Sequence, residues 1–79
     1  MVRSTILSQF ESVARERNQQ LAPLSDDLVL LESGLDSLSF AVIVARLEDT
    51  LGIDPFISME SEFPLTLKEF IAVYENAAR

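Results

Sequence analysis

Apolar residues open this chain at helical spacing. Val2, Ile6, Phe10 and Val13 fall on one face, with Leu7 and Ala14 beside them. The spacing predicts a helix from residue 2 to about residue 17, with Ser4, Ser8 and Ser12 on a solvated face. Over residues 18–36 the period is lost, and Pro23 and the Ser25, Asp26, Asp27 cluster mark turns. Yet Leu21, Leu24, Leu28, Leu30, Leu31 and Leu35 make this stretch too apolar for a free linker. A loop of this length is unusual in a small domain unless it packs or works. It is expected to lie across the helices with several leucines tucked in. The helical period returns at Ser37 and predicts a second helix to about Leu51, stopped by Gly52 and blocked from continuing by Pro55. A short helical turn is expected within residues 57–62. Pro64 and Thr66 then introduce a last helix over residues 67–77. There Thr66 and Glu69 have the spacing of a capping box, and Leu67, Phe70, Ile71 and Tyr74 form the apolar stripe. No stretch alternates as a strand would. The expected fold is all-α: a small bundle of three main helices plus one short helix, with a long loop between the first and second main helices.

The second helix carries two apolar faces. At about 100° per residue, Phe40, Ile43, Val44, Leu47 and Leu51 project into one narrow arc, which is the expected core stripe. Leu38, Ala41, Val42 and Ala45 project nearly opposite, with Asp49 on the same arc and Glu48 at its border. A small bundle has one core, so this second arc must meet the long loop, a partner or solvent. An apolar strip rimmed by acids suits docking, and cover by the loop is the plainer alternative.

Composition narrows the chemistry. The 79 residues make at most one domain, and 48% of them are hydrophobic, enough for a packed core. With no cysteine and no histidine, disulfides and the usual zinc and copper ligand sets are excluded. The net charge of −7 opposes binding to nucleic acid or to an anionic membrane and favours a partner with a basic patch. Arg3, Arg15 and Arg17 sit near the start, whereas residues 18–65 hold most of the acids and Arg46 as their one base. No segment approaches a membrane span and the start lacks a signal peptide's apolar stretch, so the cytoplasm is the expected location.

Ser37 raises the question of chemistry. It lies at the first turn of the second helix, with Gly34 in the preceding turn and Asp36 in the capping place. A serine nucleophile needs a base, usually histidine, and the chain has none. Lys68 and the carboxylates lack the spacing of any known serine–lysine arrangement. Ser37 therefore reads as a poor catalyst. It can still be a substrate, because a modifying enzyme brings its own base. A phosphate ester there would meet unpaired backbone N–H groups and the positive end of the helix dipole, opposed mildly by Asp36. The plainer reading is that Asp36 caps a helix and Ser37 is a polar first-turn residue.

Gly34-Leu35-Asp36-Ser37-Leu38 resembles the G-x-D-S-L attachment motif of acyl and peptidyl carrier proteins. The length, the acidity, the long first loop, the helix order, the Leu47-Glu48 pair ahead of Leu51-Gly52 and the closing Thr66-Leu67 are similar to that family too. The resemblance covers nearly the whole chain, and residues 1–79 are expected to form a single carrier-protein domain. It implies that Ser37 carries 4′-phosphopantetheine, added by a separate phosphopantetheinyl transferase. It also implies that Asp36 assists the modification and that Leu38 contacts the transferase. The arm's thiol would hold an acyl or aminoacyl group as a thioester, so the protein itself would be no enzyme and would need neither cysteine nor histidine.

The second helix departs from the strongly acidic face of fatty-acid-synthesis carriers. Ser39, Ala41, Val42 and Ala45 occupy much of that face, Arg46 adds a base, and Glu48 and Asp49 remain. The run Val44 to Asp49 looks closer to carriers of nonribosomal peptide, polyketide or other specialised pathways. The expected partners are an acyl- or aminoacyl-activating ligase and downstream synthase or transferase enzymes. They would dock on Leu38, Ala41, Val42, Ala45, Glu48 and Asp49, with no nucleic acid, no membrane and no metal. Met1 and the absence of a linker-like stretch at either end favour a free-standing protein over the alternative, an excised module of a larger synthase; a monomer is expected. The rival is a non-catalytic helical interaction module that uses the same strip without a prosthetic group.

Overall fold

A computed structural model describes residues 2–56 and 63–78. Three helices form in chain order: α1 (Val2–Glu16), α2 (Ser37–Leu51) and α3 (Leu67–Ala77). Each begins and ends close to where the apolar period does. The short turn expected within residues 57–62 lies outside the described residues. Among the described residues the one β contact is an isolated antiparallel bridge between Val29 and Thr66.

The core is the meeting of the predicted stripes. Ile6, Phe10, Val13 and Ala14 of α1 are buried against Phe40, Ile43 and Leu47 of α2 and Leu67, Phe70, Ile71 and Tyr74 of α3. Phe70 stands at the centre of an aromatic cluster, edge-on to Phe10 with centroids 5.5 Å apart and tilted against Phe56 and Tyr74. Such edge and tilted contacts suit the ring quadrupoles better than face-to-face stacking. Ser4 and Ser8 are exposed as expected, while Ser12 is half-buried.

The long loop does pack. Leu30 and Leu35 join the core, and Leu21, Leu24 and Leu28 lie partly buried against it. Leu31 points outward and is 82% exposed, because the single 3₁₀ turn Leu30–Glu32 can direct only one of the adjacent leucines inward. The loop also satisfies α3. The first N–H groups of a helix have no intrahelical acceptor. Here Leu67 N donates to the Leu28 carbonyl at 2.9 Å and Lys68 N to that of Asp26 at 3.1 Å. Glu69 N donates to Thr66 Oγ1 at 3.3 Å, and the Glu69 carboxylate accepts from Thr66 N at 3.0 Å, closing the predicted capping box. Ion pairs add two surface ties. Arg3 reaches Asp26 at 2.6 Å, and Arg46 grips both carboxylate oxygens of Glu16.

Candidate functional site

Two short segments build the surroundings of Ser37. The first is the end of α1. Asn18 takes the left-handed conformation (φ 57°), which turns the chain, while Gln19 N still donates to the Ala14 carbonyl at 2.8 Å. The second is the stretch from Ser33 to Ser39. Gly34 sits at φ 97°, and a Cβ there would lie 2.0 Å from the Gln20 carbonyl oxygen. Only glycine gives both the backbone conformation and the space. Ser33 is buried and donates to the Leu30 carbonyl at 2.6 Å, and Ala22 N donates to the Ser33 carbonyl. The two segments are thus laced together before α2 begins.

Asp36 caps α2. Its Oδ1 accepts from Ser39 N at 2.8 Å, and its backbone carbonyl accepts from Phe40 N. Its Oδ2 accepts from Gln19 Nε2 at 3.1 Å and faces Arg17 at 3.5 Å. The backbone N–H of Ser39, aided by the Ser39 hydroxyl close by, Gln19 and Arg17, holds the Asp36 carboxyl down to about 2. Ser39 is fully buried, and its hydroxyl donates to Gln19 Oε1 at 2.5 Å. That corrects the expectation that Ser39 belongs to the exposed face of the second helix: this position turns back under the cap. Arg46 likewise adds no free base to that face, since Glu16 of α1 neutralises it. The pairing lowers the Glu16 carboxyl and raises the Arg46 guanidinium.

Ser37 itself is exposed. With Ser39 N and Phe40 N engaged by Asp36, the N–H groups of Ser37 and Leu38 are left without intrahelical partners at the positive end of α2. An ester phosphate on Ser37 would fit here, because the residue is exposed at the start of α2, where the first N–H groups have no intrahelical acceptor, and the Asp36 carboxylate is already engaged by Ser39, Gln19 and Arg17.

Ser37 also lies in the wall of a cleft of about 700 Å³. One wall is a row on α2: Ala41, Val44, Ala45 and, at the far end, Glu48. Facing it are Leu30, Leu65, Phe56 and Phe63. From Ser37 to Glu48 the row runs about 16 Å along the helix axis. Asp54 joins Glu48 at the far end. Near these carboxylates the buried Tyr74 hydroxyl has no hydrogen-bond partner among the described residues, and burial, with Asp54 and Glu48, pushes its ionisation up.

The cleft divides the second arc of α2. Leu38 is 59% exposed, and Ala41 and Ala45 are exposed along the cleft, with Glu48 and Asp49 also on the surface. Val42 is half-buried against the core. Val44, expected in the core stripe, is half-buried: it packs against the core and also lines the cleft. The long loop therefore leaves most of the second arc open. Periodicity within α2 could not locate the facing wall, because it comes from residues distant in sequence. Gln19 carried no sequence signal either: it follows a helix end and matches no spacing rule.

Among the described residues, no helix is long and apolar enough to cross a membrane, and no group of acidic side chains is placed to hold a metal ion. Compared with known proteins, no curated protein and no solved structure matches the chain. The family model described as the phosphopantetheine attachment site matches residues 4–70, a span that includes the whole Gly34 to Leu38 motif. The chain belongs to this family of phosphopantetheine-binding carrier proteins, which hold 4′-phosphopantetheine covalently on a serine.

Proposed function

We propose that Ser37 is the attachment serine and that the chain, as a single domain, carries acyl intermediates without catalysing their reactions. The observation that carries this reading is the exposed Ser37 at the start of α2, within the span that the family model matches and in the lining of the cleft. When bound, the arm supplies a terminal thiol on which a cargo is held as a thioester. The protein's own part is to present one hydroxyl, to place two backbone N–H groups beside the phosphate, and to keep Asp36 ionised and oriented. The apolar cleft favours an acyl cargo over a small polar aminoacyl one, since apolar surface gains by leaving water.

Partner enzymes then supply the chemistry: a phosphopantetheinyl transferase for loading the arm, a ligase for charging it, and synthases or transferases for using the cargo. Leu38, Ala41, Ala45, Glu48 and Asp49 form the docking face, with Val42 supporting it from below. Apolar contact counts for more than charge steering on such a surface. That balance supports a specialised pathway.

The test is incubation with coenzyme A and a broad-specificity transferase, read by intact mass. One phosphopantetheine should be added to the wild-type chain and none to Ser37→Ala. An unmodified wild-type protein beside a working control carrier would overturn the assignment.

A further inference from the structure

We propose that Gln19 is a positioning residue for the modification of Ser37, an inference that rests on Ser37 being the attachment serine. Its amide uses both ends. Nε2 donates to Asp36 Oδ2 at 3.1 Å, and Oε1 accepts the Ser39 hydroxyl proton at 2.5 Å. Ser39 closes the ring through its backbone N–H, which donates to Asp36 Oδ1 at 2.8 Å. An ionised carboxylate only accepts, so the amide nitrogen must face Asp36 and the amide oxygen must face Ser39. The two residues flanking the Ser37–Leu38 step are therefore fixed by one side chain from outside the helix. The backbone holds that side chain in turn: Gln19 N is bonded to Ala14, and the next carbonyl, that of Gln20, lies against Gly34. Gln19 is half-buried, and the charged groups in its network are Asp36 and, through Asp36, Arg17.

The consequence is a defined direction for the Asp36 carboxylate beside the reacting hydroxyl. Without the amide, Asp36 keeps its bond to Ser39 N, but its second oxygen loses its shortest tie and only the longer Arg17 contact remains. A transferase that must bring Ser37 and a phosphate donor into line then meets a less ordered helix start, which lowers the rate of transfer more than it weakens docking.

The isosteric variant Gln19→Glu separates this role from packing. Ionised, it still accepts from Ser39, yet it loses its donor and places a like charge against Asp36. Protonated, it donates again. Holding the transferase and coenzyme A fixed and normalising to wild type at each pH, we expect Gln19→Glu to show about a tenfold lower kcat/KM at pH of about 8, mostly in kcat. That deficit should shrink as the pH falls to about 5.5, because the like charge of Asp36 keeps the introduced acid protonated to higher pH. Gln19→Met, of similar shape and unable to titrate, should show a deficit that stays constant across the range. Circular dichroism at each pH checks that the helices persist.

Wild-type modification with Ser37→Ala inert keeps the attachment assignment intact whatever the Gln19 variants do. Given that, wild-type rates in folded Gln19→Met overturn the positioning role. A Gln19→Glu deficit that does not change with pH also overturns it, since packing alone would then account for the loss. If Gln19→Glu does not fold at high pH, the Gln19→Met result alone decides.

Discussion

Replacing Gly34 by alanine would ask the chain for two things it cannot give together: a left-handed backbone for a residue with a Cβ, and room where the Gln20 carbonyl stands 2.0 Å away. Gly34→Ala should cost about 3 kcal/mol in urea unfolding. Gly52→Ala shares the positive φ, at 71°, but meets no neighbour, and should cost only about 1 kcal/mol. Equal losses would show that the close approach to Gln20 does not matter. Asp36 offers a second residue-scale test. Its folded ionisation lies below that of an unfolded aspartate, so its stabilising effect is complete above about pH 4 and fades as the pH falls to about 2. Glu16 shifts in the same direction. Asp36→Asn keeps a capping oxygen but not the charge. Its stability gap from wild type should be widest near neutral pH and narrow through that acid window, and a gap that does not change with pH would exclude the charge as its source. At Tyr74 the sign reverses. A buried hydroxyl without a partner costs free energy, so Tyr74→Phe should raise stability by about 1 kcal/mol in the same measurement.

At the scale of the element, most of the design was legible in sequence, for identifiable reasons. A cap, a period and a stop signal are all local, so α2 begins at Ser37 after Asp36 and ends at Leu51 before Gly52, as its pattern indicates. The capping box of α3 was equally legible, and Thr66→Ala should lower stability by about 1 kcal/mol, read as a shift in the urea midpoint at constant slope. Faces were harder to assign. Ser39 looked like surface because a polar residue on a helix usually is. Its burial depends on Gln19, which the local pattern does not connect to it. Arg46 looked like a docking-face base for the same reason, until α1 supplied Glu16. The motif around Ser37 was readable as a motif, and the cleft beside it was not, because its second wall comes from the loop before α2 and the chain before α3.

For the whole molecule, the radius of gyration of 11.6 Å is what a compact chain of this length should have, about 11.6 Å, so the long loop lies on the bundle and not away from it. A domain of this size has a total stability of roughly 4–12 kcal/mol. Phe70 touches Phe10 of α1, Tyr74 of α3 and the rings of Phe56 and Phe63, and Phe70→Ala should remove about 3–5 kcal/mol, read as a fall in the urea midpoint followed by circular dichroism. The bridge between Val29 and Thr66 has a further consequence. Leu30 N donates to the Leu65 carbonyl at 2.9 Å and Leu67 N to that of Leu28, so Leu30 and Leu65 form one stitched jaw opposite α2. Any guest wedged between that jaw and the helix must move the helix, or Phe56 and Phe63, because spreading the jaw would unfasten the start of α3. The amides of Leu30 and Leu67 should therefore exchange with deuterium as slowly in a loaded carrier as in an empty one.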